Sequence, residues 1–115
     1  MPFLHIHTNT AHTTDDKQRI SELATQMLAE LTGKNQAYIM VIIETGKTIR
    51  FADKLTSSAY LEMKNLSLAD EQTSQYSQQL CQFMNTHFNI PAERIFIEFS
   101  HPQRHMWGWN NKTFA

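Results

Sequence analysis

Tyr38-Ile39-Met40-Val41-Ile42-Ile43 carries no polar side chain on either parity. A run of this kind suits a strand buried on both faces, as in a parallel sheet. Parallel neighbours are joined by a crossover, usually a helix, and the preceding chain supplies one. Thr13, Thr14 and the Asp15-Asp16 pair offer an N-cap and an acidic first turn. Ile20, Leu23, Ala24, Met27, Leu28 and Leu31 then recur on one stripe. Gly33 ends the helix as its C′ residue, with Lys34 just beyond. Upstream, residues 3–8 alternate apolar and polar and read as a first strand, and residues 9–14 read as a polar loop.

The second half repeats this plan. Residues 58–66 fit a strand or a helix by pattern; strand is favoured, since Ala59, Leu61 and Met63 alternate with Tyr60, Glu62 and Lys64. Residues 69–87 form a second helix, with Tyr76, Leu80, Phe83, Met84 and Phe88 as its stripe. Pro91 closes a loop, and residues 95–99 make another strand. A short extended piece is expected over residues 48–51, after a turn at Thr45-Gly46-Lys47, and the tail from Met106 is short and aromatic. Two β-α-β units predict an α+β sandwich: a four-stranded mixed sheet with both helices on one face. Half of the apolar run at residues 38–43 then lies on a face with no helix over it, so another subunit is expected to cover it.

Several classes of function are excluded on composition. A chain of 115 residues suits one domain over residues 1–115. Net charge is −1 with no Lys/Arg block, so no nucleic-acid partner is expected. No apolar run approaches the roughly 18–20 residues of a membrane span, and the start lacks a signal peptide's basic n-region. A lone Cys81 rules out an internal disulfide and a thiolate cluster. The reading is a soluble, cytoplasmic globular chain. Among the histidines, His5 and His7 put two rings on one strand face, but no carboxylate or thiolate partner is evident, so no metal and no cofactor are expected.

The chemistry centres on Met1-Pro2. Removal of Met1 would leave a secondary amine on Pro2. An α-amino group titrates at about 7.7–8.0, and burial lowers that value because it disfavours the charged form. The amine is then a neutral base near pH 7, able to take a proton from carbon and return it. The plainer alternative is a proline that only starts a strand, where its missing N–H costs nothing.

With these features in place, the whole chain resembles the macrophage migration inhibitory factor/D-dopachrome tautomerase family. The resemblance rests on Met1-Pro2, Thr8-Asn9, Ser21-Glu22-Leu23, Thr32-Gly33-Lys34, Tyr38-Ile39 and the closing Gly108-Trp109-Asn110-Asn111-Lys112-Thr113-Phe114-Ala115. It implies a homotrimer with active sites at subunit interfaces. It also implies keto–enol tautomerisation of phenylpyruvate-like acids by Pro2, with no cofactor. Lys34 matches the residue that binds the substrate carboxylate, and a lysine at a helix end suits an anionic oxygen. Leu66, preceded by Asn65, falls where the family binds substrate through backbone. Trp107 lies in the segment lining the pocket mouth, with Arg104, Met106 and Trp109. The family also includes cytokines that leave cells without a classical signal, which keeps a secreted, receptor-binding protein as the alternative. Hydration or dehalogenation of an unsaturated acid is a third reading.

The chain departs from the family in three places. The family's active-site tyrosine and asparagine, contributed by a neighbouring subunit, are here Phe96 and Glu98. Phe96 keeps the ring and loses the hydroxyl. Glu98 would raise the amine's pKa and repel an anionic substrate if it stood close. The family's Cys-x-x-Cys aligns with Ser58-Ala59-Tyr60-Leu61, so a dithiol function is rejected.

Overall fold

The computed structural model describes residues 1–115. Strand β1 (Pro2–Thr8) leads to helix α1 (Thr14–Thr32) and strand β2 (Met40–Glu44). Strand β3 (Ala59–Asn65), helix α2 (Thr73–Phe88) and strand β4 (Ile95–Ser100) repeat the unit. The tail closes with two short strands, β5 (Gly108–Trp109) and β6 (Lys112–Thr113). The main sheet has the order β2-β1-β3-β4. The outer pairs β1/β2 and β3/β4 are parallel, and the central pair β1/β3 is antiparallel. This is the mixed sheet expected from two crossover units.

Both helices pack on one face. Leu4 and Ile6 of β1 and Ala59, Leu61 and Met63 of β3 point into a core shared with Ile20, Ala24 and Leu28 of α1 and Tyr76, Leu80, Met84 and Phe88 of α2. The alternation read in β1 and β3 is therefore literal: every second residue is buried. Thr8 ends the buried row, its hydroxyl donating to the Ser58 carbonyl at 2.8 Å.

The two helix-to-strand junctions share a design. Helix α1 ends at Gly33 (φ 70°) and α2 at Asn89 (φ 58°), both in the left-handed region that glycine and asparagine adopt at least cost. A single 3-10 turn follows each cap, Gln36–Tyr38 in one half and Ala92–Arg94 in the other, before the strand begins.

Four expectations need correction. Strand β2 begins at Met40, because Asn35 accepts from the Ala37 N–H at 2.9 Å and caps a 3-10 turn that takes Tyr38 out of the strand. The run is also not buried on both faces: β2 is an edge strand, with Met40 60% and Ile42 37% exposed. The second helix starts with a 3-10 turn at Asp70–Gln72, where Gln72 Oε1 accepts from the Ala69 N–H, and turns α-helical from Thr73. Residues 48–51 form no strand; Phe51 only bridges Lys54 around a tight turn with Ala52 and Asp53 at positive φ. No helix is long and apolar enough to cross a membrane.

The uncovered face carries Phe3, His5 and His7 of β1, Met40, Ile42 and Glu44 of β2, Tyr60, Glu62 and Lys64 of β3, and Phe96 and Glu98 of β4, as the registers require. It mixes apolar edges with a polar centre.

Candidate active site

The start of β1, the end of α1 and the tail hairpin meet around the chain's first residues. β1 places Pro2 opposite Asn65 of β3, and Pro2 is fully buried. The Gly33 cap turns the chain so that Lys34 leaves the helix beside Met1 and Leu66 on a common cavity wall. Asn110 and Asn111, both at positive φ, make the turn of the β5/β6 hairpin. This hairpin brings Trp109 against Tyr38 (ring centroids 5.4 Å, edge-on) and Phe114 against Trp109 (6.0 Å, stacked). Arg104 locks the tail by donating from Nε to the Phe114 carbonyl at 2.7 Å.

Two adjoining cavities result. One of about 650 Å³ is lined by Pro2, Lys64 and Trp107, among others; one of about 480 Å³ is lined by Lys34, Leu66, Arg104 and Lys112. Met1, Tyr38 and Trp109 border both, so they form one cleft centred on the chain start. Each is large enough for a small ligand.

The charged side chains are one-sided, although the terminal residue Ala115 also borders the smaller cavity. Lys34, Lys64, Arg104 and Lys112 line the cleft, and no aspartate or glutamate does, in a chain whose net charge is −1. Burial lowers the pKa of the Met1 α-amine below its ordinary value, and the Lys34 and Arg104 charges lower it further. Both causes act in one direction, since desolvation and neighbouring cations each disfavour the ammonium form. The cleft favours a bound anion and the neutral form of an amine.

Of the residues singled out in the sequence, Pro2, Lys34 and Leu66 line this cleft, and so do Arg104, Met106, Trp107 and Trp109 of the expected pocket mouth. Asn65 lies beneath it, buried, its Oδ1 without a hydrogen-bond partner. Phe96 and Glu98 are not in the cleft of their own chain. They share the uncovered sheet face, as their equal parity requires, in register with Tyr60 and Glu62. Phe96 is 63% exposed and packs on Phe51 at 4.4 Å between ring centroids. Arg104 makes no ion pair with Glu98.

Lys64 escaped the sequence reading, and Tyr38 and Lys112, though within the segments that carry the resemblance, were given no role in the site. Tyr38 was hidden in an apolar run, although the Asn35 cap before it signals a turn. The consecutive asparagines 110 and 111 mark the hairpin that delivers Lys112. Lys64 carries no local signal, because only strand pairing puts it next to Phe3, over whose ring its ammonium lies at 5.9 Å.

The profile of the family described as macrophage migration inhibitory factor (MIF) matches residues 1–115. The chain is 31% identical to the macrophage migration inhibitory factor of Xenopus tropicalis, over 100% of both chains. Its structure is similar to that of the macrophage migration inhibitory factor homologue from Prochlorococcus marinus, with a TM-score of 0.91 and 28% identity, covering 98% of this chain and 99% of the other. It also matches the macrophage migration inhibitory factor from Trichinella spiralis with a TM-score of 0.90 over 97% of this chain and 99% of the other, where 22% identity speaks to the fold alone. With the whole length matched in sequence and in fold, and with the cleft gathered around its first residues, the chain belongs to the macrophage migration inhibitory factor family of the tautomerase superfamily.

Proposed function

We propose that the chain is a cofactor-independent keto–enol tautomerase acting on phenylpyruvate-type keto acids. The observation that carries this reading is Pro2 buried in a cleft lined by four cations and no acidic side chain, where the Met1 amine before it is held below its ordinary pKa. Removal of Met1 leaves the Pro2 nitrogen as the chain's amine, already buried in the same cleft. Neutral Pro2 takes a proton from the carbon beside the ketone, and the electron pair moves onto the ketone oxygen. The protonated Pro2 gives that proton, directly or through solvent, to the oxygen, which forms the enol and restores the neutral amine. The reverse sequence returns the proton to carbon. Lys34 holds the substrate carboxylate, with Arg104 as a second cation, and this positive field stabilises the enolate charge. Leu66, through its backbone, and Asn65 below it position the substrate, and Trp107 forms an aromatic wall.

Phe96 and Glu98 join the site from a neighbouring subunit in a homotrimer. The exposed Met40, Ile42 and Phe96 on the uncovered face favour such assembly. Phe96 dries the pocket, and Glu98 tunes the amine according to its distance. A second reading, a trimer that binds a protein receptor with catalysis vestigial, is favoured by the replacement of tyrosine and asparagine at these two positions. Cytoplasmic action, or export without a signal peptide, goes with either.

The deciding experiment follows enol absorbance of phenylpyruvate for wild type and Pro2→Gly, on samples whose mass shows Met1 removed. Turnover in the wild type that collapses in the variant supports the tautomerase. Absent turnover, or equal turnover in both, sinks Pro2 as base for this substrate and leaves receptor binding.

A further inference from the structure

The polar centre of the uncovered face holds a second constellation, remote in role from the proline cleft. His5 and His7 stand two apart on β1, so their rings share a face, with centroids 3.9 Å apart. Judged from sequence, they lacked a carboxylate. Parallel pairing supplies one: β2 sets Glu44 opposite His7 and one step along from His5. Glu44 Oε2 lies 2.5 Å from His5 Nε2 and 3.5 Å from His7 Nδ1, so both imidazoles converge on one oxygen. The ligand atoms of the three residues all lie within 4.8 Å of one another. In a tetrahedral zinc site with metal–ligand bonds of about 2.0–2.2 Å, ligand atoms sit about 3.3 Å apart.

From this geometry we infer that His5, His7 and Glu44 form a binding site for a divalent transition-metal ion of the zinc type, with the fourth position open. Two imidazoles and one carboxylate suit zinc, copper or nickel and disfavour calcium and magnesium, which take oxygen ligands. The surroundings supply an outer partner as well. His7 Nε2 is buried and has no hydrogen-bond partner, and Glu62 Oε1 stands 3.7 Å away. With Nδ1 on the metal, the N–H at Nε2 points to that carboxylate, the carboxylate–histidine–metal arrangement that orients a ligating ring. Lys47 Nζ lies 3.0 Å from Glu44 Oε1 and opposes the ion's charge, but leaves Oε2 for it. All these groups come from one chain.

The test titrates the metal-free full chain with Zn2+ and Co2+, by calorimetry and visible absorbance. Expected is one ion per chain, with Co2+ bands of a tetrahedral site. Saturable binding disappears in His5→Asn and Glu44→Gln and weakens about 10–100-fold in Glu62→Gln. It persists in a His101→Asn/His105→Asn/Cys81→Ser control. No saturable binding in the wild type, equal binding in the site variants, or loss in the control would overturn the inference. Should a site variant fail to fold, Co2+ added to wild type must shift the ring resonances of His5 and His7; shifts confined to other histidines overturn it equally.

Discussion

The two helix-to-strand junctions use one backbone device for opposite ends. Each has a left-handed cap, a 3-10 turn and an edge strand. After Gly33 comes Lys34, exposed at the cleft; after Asn89 comes Ile90, completely buried in the core. The first 3-10 turn ends on Tyr38, which borders both cavities. The second ends on Arg94, whose guanidinium donates to the carbonyls of Phe51, Lys54, Thr56 and Ser57 and so pins the loop before β3. Each strand then presents a large exposed apolar residue, Met40 or Phe96. A repeated fold thus opens one junction onto the cleft while its twin is built into the core.

Substitutions at matching positions should separate the two roles. The largest effect is expected at the closed junction: Ile90→Ala removes a fully buried side chain and should cost about 2–5 kcal/mol in denaturant unfolding. At the equivalent open position, Lys34→Ala should leave the unfolding midpoint within error yet lower tautomerase kcat/KM about 10- to 100-fold, the worth of a charged hydrogen bond of about 1.5–3 kcal/mol. A stability loss as large as that of Ile90→Ala would erase the distinction.

The same lysine sharpens the comparison through pH. Burial lowers the pKa of the Met1 amine, and Lys34 and Arg104 lower it further; with Met1 removed, the same cations are expected to act on the Pro2 nitrogen. A base with a lowered pKa stays unprotonated to lower pH, so activity should fall on the acid side only below the ordinary α-amino range. Lys34→Ala or Arg104→Ala removes a cation and lets that pKa rise, so the acid limb of kcat/KM should move to higher pH. An Arg94→Ala variant, altered at the closed junction, should leave the limb in place. The smallest effect concerns the caps. Gly33→Ala forces a Cβ into the left-handed region at a cost of roughly 1–2 kcal/mol, with nothing within 4 Å to clash. Asn89→Gly should fall within about 0.5 kcal/mol of wild type, because either residue tolerates the angle; thermal melts of the pair measure both.

Much of the scaffold was legible before any coordinates. Period-two alternation identified β1 and β3 because each has one face on the core and one away from it. The α1 stripe and its Thr13 and Gly33 caps were readable because helix ends need local partners. The edge position of β2 was not readable: six apolar residues look alike whether a helix or another subunit covers them. Of the cleft, Pro2 was legible from its own chemistry, and Lys34, Leu66, Arg104, Met106, Trp107 and Trp109 through the family resemblance. Tyr38 and Lys64 reach it through a turn and a strand pairing.

By itself the sequence determined the order of the two β-α-β units, the caps of α1 and which parity of each central strand would be buried, since those depend on neighbours a few residues away. Tertiary structure alone decided the rest. Lys34, Lys64, Arg104 and Lys112 become one positive field, and Glu44 meets His5 and His7, only when strand order and register bring distant segments together. Electrostatics and metal coordination act over a few ångströms in space, a distance that sequence separation does not measure.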